Sequence, residues 1–323
     1  MRKLGIIFMA VVVLGFAAVI SRAADEYPNK PIQLIVPYGA GGLTDSMARL
    51  VAEKMGKILG TSILVISKPG AASAIATGFV AASVPDGYTI LINMTGGIIV
   101  TPMINPNIRY KMSDLKPIGK LSSARYLMLA GRELPVKTLP ELIAYAKKNP
   151  GKLSYASPGV GSVNHLVAEQ LNLQHQMGMQ HIPYTSELQV INAMMGNHVQ
   201  VAAVTVPSSL EFIQANRVKA LAILAENREP LLADVSTSAE QGFPDMLASL
   251  YNILFAPATT PAPVFRQLEG ALRKVFQDKD LIDTLNKMRI TPDYMNSADT
   301  QAFLDNEVKK WAVTVKKANI TIK

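Results

Sequence analysis

The chain has 323 residues, of which 49% are hydrophobic and 17% charged, with a formal net charge of +8 and no cysteine. The lack of cysteine excludes disulfides, thiol catalysis and Cys-based zinc sites. No run of lysine and arginine exceeds two residues, which argues against a nucleic-acid partner because such partners require a concentrated basic stripe. This length and hydrophobic content predict an ample core and about two domains.

Residues 1–23 have the pattern of an export signal. Two basic residues precede an uncharged run over 4–20, and small residues occupy Ser21 and Ala23, the positions read by signal peptidase. Cleavage after Ala23 would leave 29 basic and 24 acidic residues, a net charge of +5. Retention as a membrane anchor is the alternative, because the run is long for a signal core. We expect a soluble protein in the periplasm, without an N-terminal lipid.

The stretch over 31–59 predicts a buried strand, a glycine-rich turn and a helix. Residues 32–36 are mostly bulky aliphatics, the turn over 37–45 holds three glycines, and Thr44 or Asp45 is the expected N-cap. This order directs free backbone N–H groups and the positive end of a helix dipole at one point, which suits an anion. A plain βα connection is the alternative. A dinucleotide site is less favoured, because position 44 is not the third glycine.

Strands and helices alternate over the rest of the chain, which predicts parallel sheets with ligand loops at the carboxyl ends of the strands. A glycine and hydroxyl loop is expected at 93–97 after a strand at 88–92. Further strands are predicted at 63–66, 199–206, 219–224 and 251–255, and helices at 139–148, 208–215, 238–241, 261–276, 280–288 and 300–317.

The segment over 153–162 repeats the opening pattern. It has a strand, a turn of small residues and a serine that can cap the following helix. Two domains that each present a helix N-terminus would hold one ligand from both sides.

Short motifs along the whole mature chain resemble those of the substrate-binding proteins of tripartite tricarboxylate transporters, the TctC or Bug family. In the first half these are Tyr27-Pro28-x-Lys30-Pro31-Ile32, Val36-Pro37-Tyr38, Gly41-Gly42-x-Thr44-Asp45-x-x-Ala48-Arg49, Pro69-Gly70-Ala71 and Pro85-Asp86-Gly87-Tyr88-Thr89. In the second half they are Tyr155-Ala156-Ser157 to His165, Pro183-Tyr184, Leu221-Ala222, Glu240-Gln241-Gly242-Phe243-Pro244, Phe255-Ala256-Pro257 and Glu307-x-x-x-Trp311.

The resemblance implies an α/β fold of the two-lobed, type II periplasmic binding protein kind, each lobe a mostly parallel sheet flanked by helices. Lobe 1 would comprise 24–122 and 252–323, and lobe 2 would comprise 123–251. The implied function is capture of a small carboxylate for a membrane permease, by a monomer that is not an enzyme and needs no cofactor or metal. The implied ligand-binding residues are Tyr38, Gly39, Ala40, Gly41, Gly42, Thr44, Asp45, Thr95, Ser157, Gly159, Val160, Gly161, Ser162, His165, Tyr184 and Thr185.

The chain departs from the family pattern at several positions near the implied cleft. Ala71-Ala72-Ser73 stands where relatives often have Ala-Gly-Gly, Thr185-Ser186 replaces a frequent Lys-Gly, and Gln200 and Val204 replace frequent acids. These departures leave the identity of the acid open. Asp45 either caps its helix or contacts an amine or hydroxyl of the ligand.

Two other classes of function remain open. A subunit that presents its ligand to a membrane sensor would use the same two-lobed fold. A hydrolase would use Ser157 or Ser162 with His165 or His181, but no G-x-S-x-G motif is present. The four histidines lack metal-binding spacing.

Overall fold

The computed structural model describes residues 27–39 and 42–321. The predicted signal peptide, together with Ala40 and Gly41 of the first turn, lies outside the described residues. Among the helices in those two ranges, none combines the length and the apolar character that a bilayer crossing requires.

The described chain alternates between strands and helices, as the sequence predicts. The strands are β1 (Ile32–Val36), β2 (Ile63–Ser67), β3 (Thr89–Met94), β4 (Leu115–Gly131), β5 (Ser154–Ser157), β6 (Gln180–Pro183), β7 (Val201–Thr205), β8 (Val218–Ile223), β9 (Ser249–Pro257) and β10 (Thr291–Met295). The helices are α1 (Leu43–Leu59), α2 (Ala74–Ala81), α3 (Thr101–Ile104), α4 (Leu139–Lys148), α5 (Val163–Gln174), α6 (Glu187–Met195), α7 (Val206–Gln214), α8 (Ala262–Val275), α9 (Lys279–Lys287) and α10 (Ser297–Ala318).

The strands form two sheets that share β4. In the first sheet the order is β2-β1-β3-β9-β4, with β10 also paired to β4. Strands β1, β2, β3 and β4 run in one direction there, and β9 and β10 run in the other. In the second sheet β6, β5, β7 and β8 run in one direction, opposite to β4. We call the first sheet with its helices lobe 1 and the second lobe 2.

The chain passes between the lobes on two neighbouring strands. The pairing of β4 with β9 ends at Arg125 and Ser249, and β4 enters the second sheet at the next residue, Tyr126, which pairs with Thr205. This arrangement confirms the predicted two-lobed α/β architecture. The lobe boundaries at 122/123 and 251/252 stay a prediction.

Apolar side chains from both faces of the sheets form the core. Helix α1 buries Met47, Val51 and Met55 against lobe 1, at the spacing of one helix face. Each such side chain contributes about 1.5–3 kcal/mol when fully buried. Trp311 on α10 is fully buried and its indole N–H donates to Glu307, so the predicted core role of this residue is confirmed.

Two local predictions are wrong, and one strand is not predicted. Helix α1 is capped by the extended Gly42 rather than by Thr44 or Asp45, because the Thr44 hydroxyl bonds Asn252 and the Asp45 carboxylate bonds Arg49. Residues 238–241 form a turn, which the left-handed Gly242 ends before a helix can develop. Strand β10 is not predicted, because proline and aspartate are poor strand formers.

Candidate functional site

A cavity of about 580 Å³ lies between the two lobes and is lined by both. Nine of the sequence-predicted ligand residues line it: Tyr38, Gly42, Thr44, Thr95, Gly159, Val160, Gly161, Ser162 and Thr185. Five others do not: Gly39, Asp45, Ser157, His165 and Tyr184. Ala40 and Gly41 fall outside the described residues.

Helix N-termini supply positive potential to this cleft. Five helical segments of the described chain begin at residues that line it, namely α1, the segment from Gly96 through α3, α5, α6 and α7. Each N-terminus carries about half a positive charge on its free N–H groups. No lysine or arginine of the described residues lines the cleft, so these dipoles are the main positive feature of its wall.

On the lobe 1 side, buried polar side chains form a directed network. Thr44 donates to Asn252 Oδ1 at 3.0 Å, and Asn252 Nδ2 donates to Ser122 Oγ at 3.0 Å. All three side chains are buried and line the cleft. Because Ser122 accepts from Asn252, its own proton stays free to donate, as does the second amide hydrogen of Asn252. Among the described residues these two hydrogens have no acceptor, so the network can supply two donors to a ligand.

Thr95 adds a third donor. Its side chain is 1% exposed and lines the cleft, yet its hydroxyl has no hydrogen-bond partner among the described residues. A buried hydroxyl without a partner is destabilising, and native proteins rarely retain one outside functional positions. Thr95 directly precedes the π-helical turn Gly96–Val100 and makes no capping bond to it. Gly97 in this turn leaves no room for a side chain, because a Cβ would lie 1.8 Å from Ser73 Oγ.

On the lobe 2 side, the turn over 157–162 is held by its own hydrogen bonds. Gly159 and Gly161 have positive φ, +139° and +79°, which favours glycine at both positions. The Gly161 N–H donates to His165 Nδ1 at 3.0 Å, the Ser162 N–H donates to Gly159 O, and the Ser162 hydroxyl accepts from the His165 N–H. The predicted N-cap role of Ser162 is confirmed. Because these amides are engaged within the turn, the turn contributes to the cleft through its shape and the dipole of the helix that follows it, and not through these N–H groups.

Metal binding has no support in the described residues, where no three His, Asp or Glu side chains are grouped as a metal site requires.

The model of the tripartite tricarboxylate transporter family receptor, TctC, matches residues 47–320 of the chain. The chain belongs to this family. The predicted resemblance is therefore confirmed.

Individual relatives agree with this assignment over nearly the whole chain. The protein BugT of Bordetella pertussis is 31% identical over 324 residues, which cover 100% of this chain and 99% of BugT. The structure of the periplasmic binding protein BugD is 30% identical, with a TM-score of 0.77 over 92% of this chain and 100% of BugD. MatC from Rhodopseudomonas palustris with bound malate is 26% identical, with a TM-score of 0.77 over 90% of this chain and 100% of MatC. The fold is thus that of a two-lobed periplasmic binding protein.

In this TctC-family chain, Ser157, His165 and His181 of the residues considered for hydrolysis form a cluster outside the cleft lining, in which Ser157 and His165 are buried and His181 is half-buried. Ser157 Oγ lies 2.7 Å from His181 Nε2, and the rings of His181 and His165 stack with centroids 3.9 Å apart. Burial lowers the pKa of His181 to about 4, and burial together with His181 lowers the pKa of His165 to about 3, so both rings are neutral at pH 7. Because Ser157 is fully buried and does not line the cleft, the pair has no access to a bound ligand.

Asp45 is not among the residues that line the cleft of this TctC-family protein. Its carboxylate accepts two hydrogen bonds from the Arg49 guanidinium, at 2.9 and 3.1 Å, and its side chain is buried in the first turn of α1. A carboxylate at that position also interacts favourably with the helix dipole.

Several lining residues have no signal in the sequence. Ser122 and Asn252 lie on the two strands that cross between the lobes, and Asn164, Glu187 and Thr205 lie at helix starts of lobe 2. None belongs to a glycine-rich turn. Only the tertiary arrangement brings them together, since Thr44 and Asn252 are 208 positions apart.

Proposed function

We propose that this TctC-family protein is a periplasmic solute-binding protein that captures a small organic carboxylate in the interlobe cleft and delivers it to the membrane permease of a tripartite tricarboxylate transporter. It acts in this proposal as a monomer without catalytic activity, with lobe 1 over 24–122 and 252–323 and lobe 2 over 123–251. The leader over 1–23 directs export.

The Thr95 hydroxyl is the observation that carries the carboxylate assignment. It is buried, it lacks a partner in the described structure, and it borders a cavity that Ser122 and Asn252 also line. A group of unused donors beside helix N-termini requires an acceptor, and a carboxylate supplies two oxygens with four lone-pair sites.

The energetics agree with such a site. A hydrogen bond to a charged group contributes roughly 1.5–3 kcal/mol. Micromolar affinity requires about 8 kcal/mol net, after a loss of about 4 kcal/mol or more for immobilising the ligand. Four to six donors therefore suffice, and an arginine is not required. The malate held by MatC supports a carboxylate as the solute class here.

The test is a thermal-shift screen of di- and tricarboxylates, aromatic acids and amino acids, each paired with its amide, followed by titration calorimetry of the hits. At least one acid should raise the melting temperature while its amide does not. An equal response to acids and amides would refute the anion site. Delivery is tested separately, by uptake of that acid in cells with and without genes for a permease of the tripartite tricarboxylate type.

A further inference from the structure

Glu187 is the only charged residue among the described residues that line the cleft. It is the first residue of α6 and lies on the lobe 2 side of the cavity. The dipole of its own helix stabilises this carboxylate, but its charge still repels a carboxylate ligand, and a cationic group on the ligand would offset that repulsion.

The Glu187 carboxylate is held in place by neutral donors alone. Oε1 accepts from Asn164 Nδ2 at 2.6 Å and from the Thr205 N–H at 3.1 Å, and Oε2 accepts from the Thr205 hydroxyl at 2.6 Å. No lysine, arginine or histidine of the described residues lies within ion-pair distance of it. Its negative charge is therefore not neutralised by a side chain.

The supporting residues fix the orientation of this carboxylate. Asn164 is buried and donates its other amide hydrogen to Ala203 O at 2.9 Å, while its Oδ1 accepts from the Tyr126 hydroxyl. Burial first, and then the charge of Glu187, raise the pKa of Tyr126, which keeps that hydroxyl protonated as a donor. The carboxylate is thus preorganised before a ligand enters.

One acceptor position remains open on this group. A carboxylate has about four lone-pair sites, and three are occupied, two on Oε1 and one on Oε2. A ligand group that satisfies the fourth must be a hydrogen-bond donor. A hydroxyl would supply the hydrogen bond but would not offset the negative charge of Glu187. A protonated amine does both.

We infer that the ligand carries a protonated amine as well as its carboxylate, and that the amine donates to Glu187 Oε2. The ligand is then a small zwitterionic or amino-dicarboxylic acid, with its carboxylate near Thr95 on lobe 1 and its ammonium group on lobe 2. This inference rests on the proposed function and narrows its ligand class.

The test uses matched acids that differ only at one substituent. Calorimetric titrations compare L-aspartate, succinate and L-malate, then L-glutamate, glutarate and 2-hydroxyglutarate, then L-phenylalanine, 3-phenylpropionate and 3-phenyllactate. In the series that binds, the amino acid should bind at least about tenfold more tightly than both analogues. Glu187→Gln should abolish that preference by weakening the amino acid alone.

The control is Glu226→Gln, which removes the same charge from an exposed position of lobe 2 outside the cleft. It should leave all affinities unchanged. If Glu187→Gln does not fold, Glu187→Ala replaces it, because removal of the side chain opens the donors of Asn164 and Thr205 to water.

Each remaining outcome overturns the inference. Tighter binding of the unsubstituted acid, equal binding of the hydroxy acid, or an equal loss for all three in Glu187→Gln would refute the ammonium assignment and leave the carboxylate function standing. Failure of every acid in the panel to bind would refute the carboxylate function, and this inference with it.

Discussion

Replacing Thr95 by valine is expected to have opposite effects on stability and on affinity. In the free protein the substitution removes a buried hydroxyl that lacks a partner, and such a group costs roughly 1–3 kcal/mol. Valine keeps the branched shape of the side chain. The free energy of unfolding of Thr95→Val should therefore equal that of the wild type or exceed it by about 1 kcal/mol.

Affinity should fall in the same variant. A hydrogen bond from this hydroxyl to a carboxylate is worth roughly 1.5–3 kcal/mol, so its loss raises Kd about 10- to 150-fold. Urea denaturation measures the first effect and titration calorimetry with the acid from the screen measures the second. The combination of a stable protein and a weak complex separates a binding role from a structural one.

Thr260→Val is the matched control. Thr260 is buried and outside the cleft, and its hydroxyl donates to Pro257 O at 2.8 Å. This variant should lose about 1 kcal/mol of stability and keep the wild-type Kd. A Kd for Thr95→Val within twofold of the wild type would refute the assignment of the hydroxyl to the ligand.

Three further substitutions test other parts of the site. Gly161→Ala should cost about 1–3 kcal/mol of stability and weaken binding, because φ at Gly161 is positive and the new Cβ would lie 1.9 Å from Ile104 Cδ1 of lobe 1. A melting temperature and a Kd equal to those of the wild type would contradict this. His165 has a pKa of about 3 in the folded protein and near 6.5 in the unfolded chain, so the unfolded chain binds more protons between these two values. The free energy of unfolding should therefore fall on acidification, by about 2 kcal/mol from pH 7 to 5. In urea titrations, the free energy of unfolding of His165→Asn should depend less steeply on pH than that of the wild type. An unchanged slope would refute His165 as the source of the pH dependence. Asp45→Asn should lower the melting temperature through loss of the Arg49 contact without changing Kd, and a weaker complex would restore a ligand role for Asp45.

Local chemistry explains which elements are predictable from this sequence. Helix α4 has the predicted bounds because Thr138 caps it, Pro140 suits its first turn, and Asn149-Pro150-Gly151 ends it. Strand β10 is not predicted, because only its pairing with β4 makes Thr291–Met295 extended.

The residues of the cleft also divide into those that local sequence predicts and those that it does not. Glycine turns and cap residues such as Ser162 have sequence signals, because backbone conformation selects residue type there. Ser122, Asn252 and Glu187 have none, because strand crossings and contacts between distant segments place them. The part of the wall that these three residues form therefore cannot be predicted from local sequence patterns.

The crossing of the lobes on neighbouring strands has a mechanical consequence. Nine register pairs join β4 to β9 up to Arg125 and Ser249, and a hydrogen-bonded ladder resists sliding more than bending at its end. We therefore expect the lobes to open by rotation about Arg125. Ala124 and Tyr126, on either side of Arg125, line the cavity. A bulkier side chain at Ala124 is therefore expected to change the angle between the lobes when the cleft closes on a solute.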